Sequence, residues 1–305
     1  MKYIIFGSEG FLGNALVHLL SGTSGTEVVR VDTVPLPDKA YYQINISETD
    51  KLIAFCDREQ PDVIINLAGS FKAATREEMF EVNCFSPLRF LEKSAGKKQR
   101  LILIGSAAEY GINTGRNKIV ESTPLLPVSD YGISKACQTF LAMSAFTRSC
   151  FPELIITRPF NIIGPGVSER LFLGAFAAQI ARIEKGLRPP VIKVGNIETY
   201  RDLLTVSGVA QGIKLIAEKG KAGEIYNLCS GKPQKISTVL EKLLSFAKLA
   251  IKIEPDPILF KTNDTAYSVG DNQKIIALGM STVSEKEIEE SLRDTLDWYR
   301  MRVKQ

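Results

Sequence analysis

Tyr131 and Lys135 stand four positions apart at the start of a predicted helix, a pairing that could transfer a proton. Residues at this spacing lie on one face of a helix, one turn apart. A phenol has an unperturbed pKa near ~10, so it needs a nearby cation to act near neutral pH, and an ammonium one turn away supplies one. Such pairs are common by chance, and without the signals described below a surface pair would be the better interpretation.

Ser106 directly follows a predicted strand at residues 101–105 and precedes Tyr110-Gly111. In an open parallel sheet, ligands bind in the crevice at the carboxyl ends of the strands. A hydroxyl there could hydrogen-bond a substrate carbonyl and stabilise charge on its oxygen. Asn83, in the preceding predicted helix, is interpreted as a polar residue that distorts this helix and organises water and backbone beside the cofactor.

A glycine-rich turn, Gly7, Gly10 and Gly13, lies between the first predicted strand and the first predicted helix. Glycines permit a tight turn and the close approach of a pyrophosphate, while helix N–H groups and the helix dipole stabilise its charge. The strand-turn-helix context is the one a dinucleotide site requires. Phe11 and Leu12, within the same turn, are predicted to contact the cofactor.

Asp32 ends the second predicted strand, 25 positions after Gly7, close to the spacing at which a carboxylate meets the adenosine ribose. No Lys or Arg occurs among residues 33–37 to offset a 2′-phosphate, so NAD(H) is favoured. NADP(H) stays open, because Arg30 could blunt the preference by turning inward. Further predicted cofactor contacts follow two strand-like runs: Asn45 and Ile46, and then Leu67, Ala68 and Gly69.

The first half of the chain alternates apolar runs with amphipathic stretches, which predicts an α/β Rossmann fold, a doubly wound parallel sheet covered on both faces. After residue 158 the alternation becomes irregular. We predict a dinucleotide-binding domain over residues 1–160, to which 201–228 returns, and a smaller C-terminal α/β domain in 161–305 that binds substrate. Strands are predicted at 2–6, 27–31, 62–67, 101–105, 153–157, 191–194 and 224–228, and helices at 11–20, 48–58, 76–95, 131–147, 171–185, 203–219, 237–249 and 285–302.

Composition excludes several classes of function. The 305 residues carry a formal charge of +4 with 45% hydrophobic and 24% charged residues, an ordinary globular composition whose small basic surplus suits anionic small molecules and not nucleic acid. No apolar run approaches the ~20 residues of a membrane span. The apolar stretch at 3–6 is too short for a signal peptide, so no membrane association and a cytoplasmic location are expected.

His18 is the single histidine, which excludes sites built from several imidazoles; no metal site is predicted. Its apolar neighbours favour a structural residue in the interior or on the flank of a packed helix. The five cysteines contain no C-x-x-C pair, and their odd number argues against a disulfide framework. Reduced thiols in the cytosol fit better.

These motifs resemble those of the extended short-chain dehydrogenase/reductase family, whose members act on nucleotide-diphosphate sugars. The resemblance covers essentially the whole chain. Within the family, the second half resembles the GDP-4-keto-6-deoxy-mannose reductases. The segments that carry this likeness are 158–166 (RPFNIIGPG), 177–184, 194–202 with Arg201-Asp202, and 226–231 (YNLCSG).

The resemblance implies that a hydride passes from the nicotinamide to the 4-keto carbon of a GDP-linked 6-deoxyhexose. Tyr131 would supply the proton, Ser106 would hold the keto oxygen, and Lys135 would tune Tyr131 and bind the nicotinamide ribose. A homodimer, formed through residues 76–95 and 131–147, is also implied. Phe160 would contact the cofactor, and Asn161, Arg201 and Lys261 the sugar nucleotide; an ion pair with Asp202 is the structural alternative for Arg201.

Three departures from the family pattern bear on the reaction. Asn45 stands where the family usually has an Asp. Lys261 stands where the reductases have an Arg, and a lysine cannot form the two-pronged phosphate contact of a guanidinium. Ala107 and Ala108 replace the acidic pair of the dehydratases, and since alanines supply neither acid nor base, dehydration is disfavoured. A 4-epimerase with tightly bound NAD is the alternative. A non-enzymatic redox sensor is disfavoured, because it has no need of an activated phenol.

Overall fold

The computed structural model describes residues 1–37, 40–71, 73–112, 115–148, 151, 153–260 and 265–303. Its strands are β1 (Lys2–Phe6), β2 (Glu27–Asp32), β3 (Tyr41–Gln43), β4 (Val63–Asn66), β5 (Arg100–Ile104), β6 (Leu154–Pro159), β7 (Asn161–Ile163), β8 (Val191–Val194), β9 (Tyr200–Thr205), β10 (Ile225–Leu228), β11 (Pro233–Lys235), β12 (Lys252–Pro255) and β13 (Tyr267–Ser268). Its α-helices are α1 (Phe11–Ser21), α2 (Thr49–Glu59), α3 (Arg76–Phe80), α4 (Ser86–Lys93), α5 (Asp130–Thr147), α6 (Phe172–Glu184), α7 (Val206–Lys219), α8 (Ile236–Ser245), α9 (Gln273–Ala277) and α10 (Glu285–Arg302).

Seven strands form one sheet in the order β3-β2-β1-β4-β5-β6-β10, and every neighbouring pair is parallel. All residues of β4 and β6 are buried, as expected for strands covered on both faces. The strand order reverses between β1 and β4, and the crevice at that point is where such sheets bind ligands. The predicted doubly wound Rossmann fold is confirmed.

Two layers of helices cover this sheet. On one face α1 and α7 pack together, with Leu16 and Ile213 in a shared apolar cluster. On the other face α2, α4 and α5 contribute Leu52, Phe90 and Ala142. Burial of these side chains fixes the helices, and hence the turns that join them to the strand ends.

The remaining strands form smaller sheets. In one, β9 pairs with β7, β11 and β13, and in the other β8 pairs with β12. Helices α6, α8 and α10 enclose a second core around Leu173, Leu240 and Leu296. None of the helices in the described ranges is both long and apolar enough to cross a membrane.

Three predicted helices are wrong in part. The helix at 237–249 ends four residues early, at Ser245. The helix at 203–219 begins only at Val206, because residues 200–205 form β9, whose Leu203 pairs with Asn161 of β7. The Thr205 hydroxyl caps α7 by accepting from the Gly208 N–H at 3.0 Å. The helix at 76–95 is three segments, since a π-helical turn, Glu81–Phe85, separates α3 from α4.

Residues 206–228 pack on and complete the large sheet, whereas 200–205 belong to a small one. The division of the chain into two domains stays a prediction. His18 is exposed on α1, so it lies on the flank of that helix and outside the core.

Candidate active site

The glycine turn is pressed against the end of β4. Gly7 has φ +79°, and a Cβ there would lie 2.7 Å from the Ala68 nitrogen. A Cβ on Gly13 would lie 2.1 Å from the Gly7 carbonyl oxygen. Both contacts are shorter than any side chain allows. The approach of this turn to the end of β4 therefore requires glycine at position 7, and the approach of α1 to the turn requires glycine at position 13.

The N-terminus of α1 fits an anion. Its N-cap is Gly10, no side chain caps it, and its first turn, which begins with Phe11 and Leu12, contains no acidic residue. The first N–H groups of a helix lack intrahelical acceptors and carry partial positive charge. The turn therefore fits the pyrophosphate of a dinucleotide, which Phe11 and Leu12 are positioned to contact through their backbone.

Asp32 is fixed beside the same turn. Its carboxylate accepts a hydrogen bond from the Glu9 N–H at 2.9 Å and another from the Thr33 N–H at 2.7 Å. Asn45 is exposed and accepts from the Ser47 N–H at 3.0 Å, while Ile46 is buried in the core beneath it. Asp32 and Asn45 thus lie at the ends of the neighbouring strands β2 and β3, whereas the Ile46 side chain faces the core.

Asn83 lies in the π-helical turn and is fully buried. Its amide accepts from the Ser70 N–H at 2.7 Å, and it donates to the Ser70 carbonyl at 2.7 Å and to the Ser134 hydroxyl at 3.0 Å. A Cβ on Gly69 would lie 3.2 Å from the Asn83 Oδ1 and 3.4 Å from the Lys135 Nζ. Asn83 therefore connects the turn of Leu67, Ala68 and Gly69 to α5. Asn83 can influence a cofactor only through the position of that turn.

Ser106, Tyr131 and Lys135 meet at the carboxyl end of β5. The Lys135 Nζ donates to the Ile104 carbonyl at 2.8 Å and to the Gln138 Oε1 at 2.9 Å. Tyr131 is half-buried in the first turn of α5, where a hydrogen bond from the Ser106 side chain acts to lower its pKa. The structure thus brings Ser106 and Tyr131 into hydrogen-bond contact and anchors Lys135 at the end of the same strand, beside Gly69.

Burial shifts the pKa values of Tyr131 and Lys135 and so determines their protonation states. It raises the pKa of Tyr131 above its usual range, and the nearby Glu109 charge acts in the same direction. This is opposite to the lowering that the spacing of Tyr131 and Lys135 predicts, because burial outweighs the ammonium one turn away. Burial also lowers the pKa of Lys135 to about 8, against the opposing influence of Glu109 and Cys84. At neutral pH Tyr131 therefore retains its proton and Lys135 is mostly charged, the states needed to donate a proton to a carbonyl oxygen.

A buried ion pair lies behind Ser106. Glu109 is 0% exposed and Arg158 2% exposed, and the Arg158 Nε lies 2.8 Å from the Glu109 Oε2. The Glu109 Oε1 accepts from the Ser106 N–H at 2.8 Å, and the Thr139 hydroxyl donates to Glu109 at 2.8 Å. Glu109 thereby joins the Ser106 turn to α5 and β6.

Sequence reasoning missed Glu109 and Gln138. A signal for Glu109 exists, because Ser106-Ala-Ala-Glu109 has the S-x-x-E spacing of a capping box, and the structure contains that box. Gln138 has no comparable signal, since its role depends on packing α5 against the end of β5.

The predicted substrate residues lie on the small sheet. The Asn161 Nδ2 donates to the Asp202 carbonyl at 3.1 Å, and the Arg201 Nη1 donates to the carbonyls of Tyr200 and Thr265 at 2.9 and 2.7 Å. The Thr265 hydroxyl donates to the Gly111 carbonyl at 3.1 Å, which links Arg201 to the loop after Ser106. Lys261 lies outside the described residues.

Asp202 and Phe160 hold this region together. The buried Asp202 carboxylate accepts from the Ser230 N–H and hydroxyl, both at 2.7 Å, and from the Gly231 N–H at 2.8 Å. Asp202 therefore ties β9 to the turn at residues 230–231. This role differs from the ion pair with Arg201 that the sequence allows as an alternative. Phe160 is 4% exposed and packs against Tyr110 with ring centroids 6.2 Å apart, between the two sheets.

Comparisons with known proteins agree with this geometry. GDP-6-deoxy-D-mannose reductase of Pseudomonas aeruginosa is 27% identical over 100% of this chain and 99% of its own. GDP-6-deoxy-D-talose 4-dehydrogenase of Aggregatibacter actinomycetemcomitans is 22% identical over 90% of each chain. A solved structure of RMD from Pseudomonas aeruginosa complexed with NADPH superposes with a TM-score of 0.85, at 26% identity over 99% of both chains.

The family model of the NAD dependent epimerase/dehydratase family matches residues 3–229. This span contains the glycine turn, Asp32, Ser106, Tyr131, Lys135 and the buried ion pair. The chain therefore belongs to the NAD dependent epimerase/dehydratase family, the extended short-chain dehydrogenase/reductase enzymes that its motifs predict.

Proposed function

We propose that this protein is a nucleotide-sugar 4-ketoreductase that uses NAD(P)H to reduce the 4-keto group of a nucleotide-linked 4-keto-6-deoxyhexose, with GDP as the nucleotide. The observation that carries the proposal is the convergence of Ser106, Tyr131 and Lys135 at the strand ends of a sheet whose first helix has an N-terminus without a side-chain cap. The full-length likeness to a GDP-6-deoxy-D-mannose reductase supports the choice of sugar and nucleotide.

Ser106, Tyr131 and Lys135 each have a separate role in reducing the carbonyl. The bound dinucleotide supplies the hydride. The Ser106 hydroxyl hydrogen-bonds the keto oxygen and holds it near Tyr131, while Glu109 fixes the Ser106 backbone. As negative charge develops on that oxygen, Tyr131 transfers its phenolic proton to it, so the ketone becomes a secondary alcohol. Lys135, anchored on Ile104, stabilises the phenolate that remains.

Asn161, Arg201 and Lys261 are proposed to bind the sugar nucleotide. A guanidinium matches a diphosphate in charge and geometry, and Arg201 lies on the small sheet beside the loop that follows Ser106. We propose NADH as the preferred donor, because the Asp32 carboxylate suits free ribose hydroxyls and repels a 2′-phosphate. NADPH stays the alternative, since the Pseudomonas aeruginosa structure was solved with it.

Dehydration does not fit this site. Relatives named dTDP-glucose 4,6-dehydratase match the chain at 22% and 24% identity. Here Ala107 and Ala108 form the 3-10 turn after Ser106, where an acid and a base would be needed. The substrate we propose is therefore already a 4-keto sugar.

The decisive assay follows the absorbance of reduced nicotinamide when the protein, NADH and GDP-4-keto-6-deoxymannose are mixed. We expect the absorbance to fall, with UDP- and dTDP-linked 4-keto sugars reacting more slowly. Absence of any fall would reject the reductase proposal. Conversion of a nucleotide-linked 4-hydroxy sugar into its C4 epimer, with no net change in absorbance, would establish the epimerase instead.

A thermal-shift comparison of GDP, UDP, CDP and dTDP identifies the base of the nucleotide. A ligand at a hundred times its Kd stabilises the protein by about 2.7 kcal/mol, so the nucleotide that binds best should raise the melting temperature most.

A homodimer formed through the π-helical turn, α4 and α5 is also proposed. Phe85 and Phe140 are 45% and 62% exposed on these adjacent helices, where a second copy would cover them. Phe140→Glu should therefore convert the dimer to monomers in sedimentation equilibrium. Leu187→Glu, at a 47% exposed side chain after α6, is the control and should not. A wild-type protein that sediments as a monomer would refute the proposal.

A cytoplasmic location is proposed on the state of the thiols. Cys56, Cys84, Cys137 and Cys229 are free, and three of them are buried. Cysteines that form no disulfide are typical of proteins in a reducing compartment. Finding the native protein in a secreted fraction would contradict this.

A further inference from the structure

Gln138 is a buried residue of α5 whose side chain contacts the ammonium of Lys135, which lies one helical turn before it. Gln138 is 3% exposed, and its Oε1 accepts from the Lys135 Nζ at 2.9 Å. The Nζ also donates to the Ile104 carbonyl at 2.8 Å, and the Gln138 Nε2 lies 3.5 Å from the same carbonyl oxygen. The amide, the ammonium and the last carbonyl of β5 therefore form one closed group of contacts.

We propose that Gln138 is a positioning residue for the reduction, because its amide oxygen keeps the Lys135 ammonium charged and fixed at the end of β5 and so sets the highest pH at which the site works. The effect on turnover rests on the proposed function. The effect on Lys135 does not, since it needs neither cofactor nor sugar.

Neutral oxygens hold this ammonium. Burial lowers the pKa of Lys135 to about 8, so its charged form is disfavoured relative to a lysine in water. Its two acceptors, a backbone carbonyl and an amide, carry no charge. A hydrogen bond to the charged form of a group favours that form and is stronger than a bond between neutral groups. Removal of the amide oxygen should therefore make the lysine easier to deprotonate.

The titratable groups near the ammonium support its charge less directly. The Glu109 carboxylate raises the pKa of the lysine, but its Oε2 is paired with Arg158 at 2.8 Å. Cys84, in the π-helical turn, acts in the same direction as a thiolate, and burial raises the pKa of its thiol to about 11. Tyr131, on the same helix, retains its proton because burial raises its pKa. Near neutral pH, direct contact with the Gln138 oxygen is therefore what the surrounding side chains offer the ammonium.

The position of the ammonium depends on the same contact. Lysine is a flexible four-carbon chain with a compact charge at its end, so one acceptor leaves it free to rotate. A Cβ on Gly69 would lie 3.4 Å from the Lys135 Nζ, so the ammonium lies between that turn and the end of β5. With acceptors on both β5 and α5, its direction is restricted.

Two substitutions of Gln138 should act in opposite directions. Gln138→Met deletes the acceptor and keeps a long unbranched side chain, so the pKa of Lys135 should fall by about one unit. Gln138→Glu replaces the neutral oxygen with a carboxylate, so that pKa should rise by about one unit. The matched control is Gln179→Met on α6, where Gln179 accepts from the Lys193 N–H at 2.9 Å and donates to its carbonyl at 3.2 Å.

The titration of Lys135 can be measured directly, without cofactor or sugar. Nuclear magnetic resonance of protein labelled with carbon-13 at the lysine ε position follows the loss of each ammonium proton with pH. The Lys135 signal is the one that disappears in Lys135→Met. Gln138→Met should move its midpoint down, Gln138→Glu should move it up, and Gln179→Met should leave it in place.

The second measurement is kcat for the 4-keto sugar as a function of pH. Because an uncharged Lys135 cannot stabilise the phenolate, kcat should fall on the alkaline side, and Gln138→Met should move that fall down by about one pH unit. At the wild-type midpoint the variant should then lose about fivefold in kcat, and two units lower less than about 1.2-fold. A defect of packing alone would lower kcat by the same factor at every pH.

An unchanged Lys135 midpoint in both Gln138 variants, or a shift of both in the same direction, would overturn the assignment. So would an alkaline limit of kcat that stays in place while the Lys135 midpoint moves. If Gln138→Met does not fold, the direction of the shift in Gln138→Glu decides. Shifted midpoints in a protein that reduces no 4-keto sugar would contradict the proposed function alone.

Discussion

Tyr131→Phe is expected to lower kcat for reduction by about 10³-fold while the Kd of the reduced dinucleotide changes less than twofold, because general acid catalysis contributes 10²- to 10⁴-fold. The substitution deletes one oxygen and keeps the ring, which packs edge-on against Phe71 with centroids 6.3 Å apart. Ser106 would still hold the keto oxygen, but no phenol would remain to protonate it. Single-turnover absorbance measurements with saturating cofactor separate this loss from any change in binding.

Tyr42→Phe is the matched control, because Tyr42 lies on β3 and packs against Phe55, away from Ser106 and Lys135. It should leave kcat unchanged. If Tyr131→Phe turns over at the wild-type rate, Tyr131 is not the acid. If it binds the dinucleotide much more weakly, its hydroxyl serves the cofactor more than the reaction.

Arg158→Met is expected to lower the free energy of unfolding by ~3–5 kcal/mol, because it leaves the Glu109 carboxylate buried without its cation. Arg158 also donates to the Tyr110 hydroxyl at 3.1 Å and to the Glu121 carbonyl at 3.2 Å, and both acceptors would lose that donor. Urea unfolding followed by circular dichroism gives the change. We also expect the turn at Ser106 to become less rigid in this variant, since Glu109 accepts the hydrogen bond of the Ser106 N–H.

Two variants test whether the unpaired Glu109 charge causes the loss of stability in Arg158→Met. Arg182→Met removes the cation of the pair with Glu169, whose side chains are 31% and 45% exposed, and should cost less than about 1 kcal/mol. Adding Glu109→Gln to Arg158→Met should restore part of the stability, because the unpaired charge is gone while an amide oxygen can still accept from Ser106. A double variant less stable than Arg158→Met would show that the unpaired charge is not the main cost.

The sequence predicts six of the seven strands of the large sheet, because each of those six contains a short apolar run. It misses β3, since Tyr41–Gln43 is only three residues long and is fixed by its pairing with β2. Asp32, Ser106 and the glycines could be placed at the ends of the predicted strands from the sequence alone. The strand β9 could not, since Leu203, Leu204 and Val206 continue an apolar run into α7, and only pairing with β7 separates strand from helix. The π-helical turn lies where the sequence predicts a distortion, at Asn83. Its π form could not be predicted, because the Asn83 contacts that accompany it come from Ser70 and Ser134.

The edge strand β10 has a consequence for how the chain is made. It lies beside β6 in the large sheet, yet it is reached only after β7, β8 and β9. Together with α7 it places Ile213, Ile216 and Leu228 in the same apolar cluster as Leu16 of α1. A nascent chain that has left the ribosome only as far as residue 160 therefore exposes the part of one apolar face of its sheet that α7 later covers beside α1. We expect such a fragment to be prone to aggregation, so the nucleotide-binding half completes its fold late in synthesis.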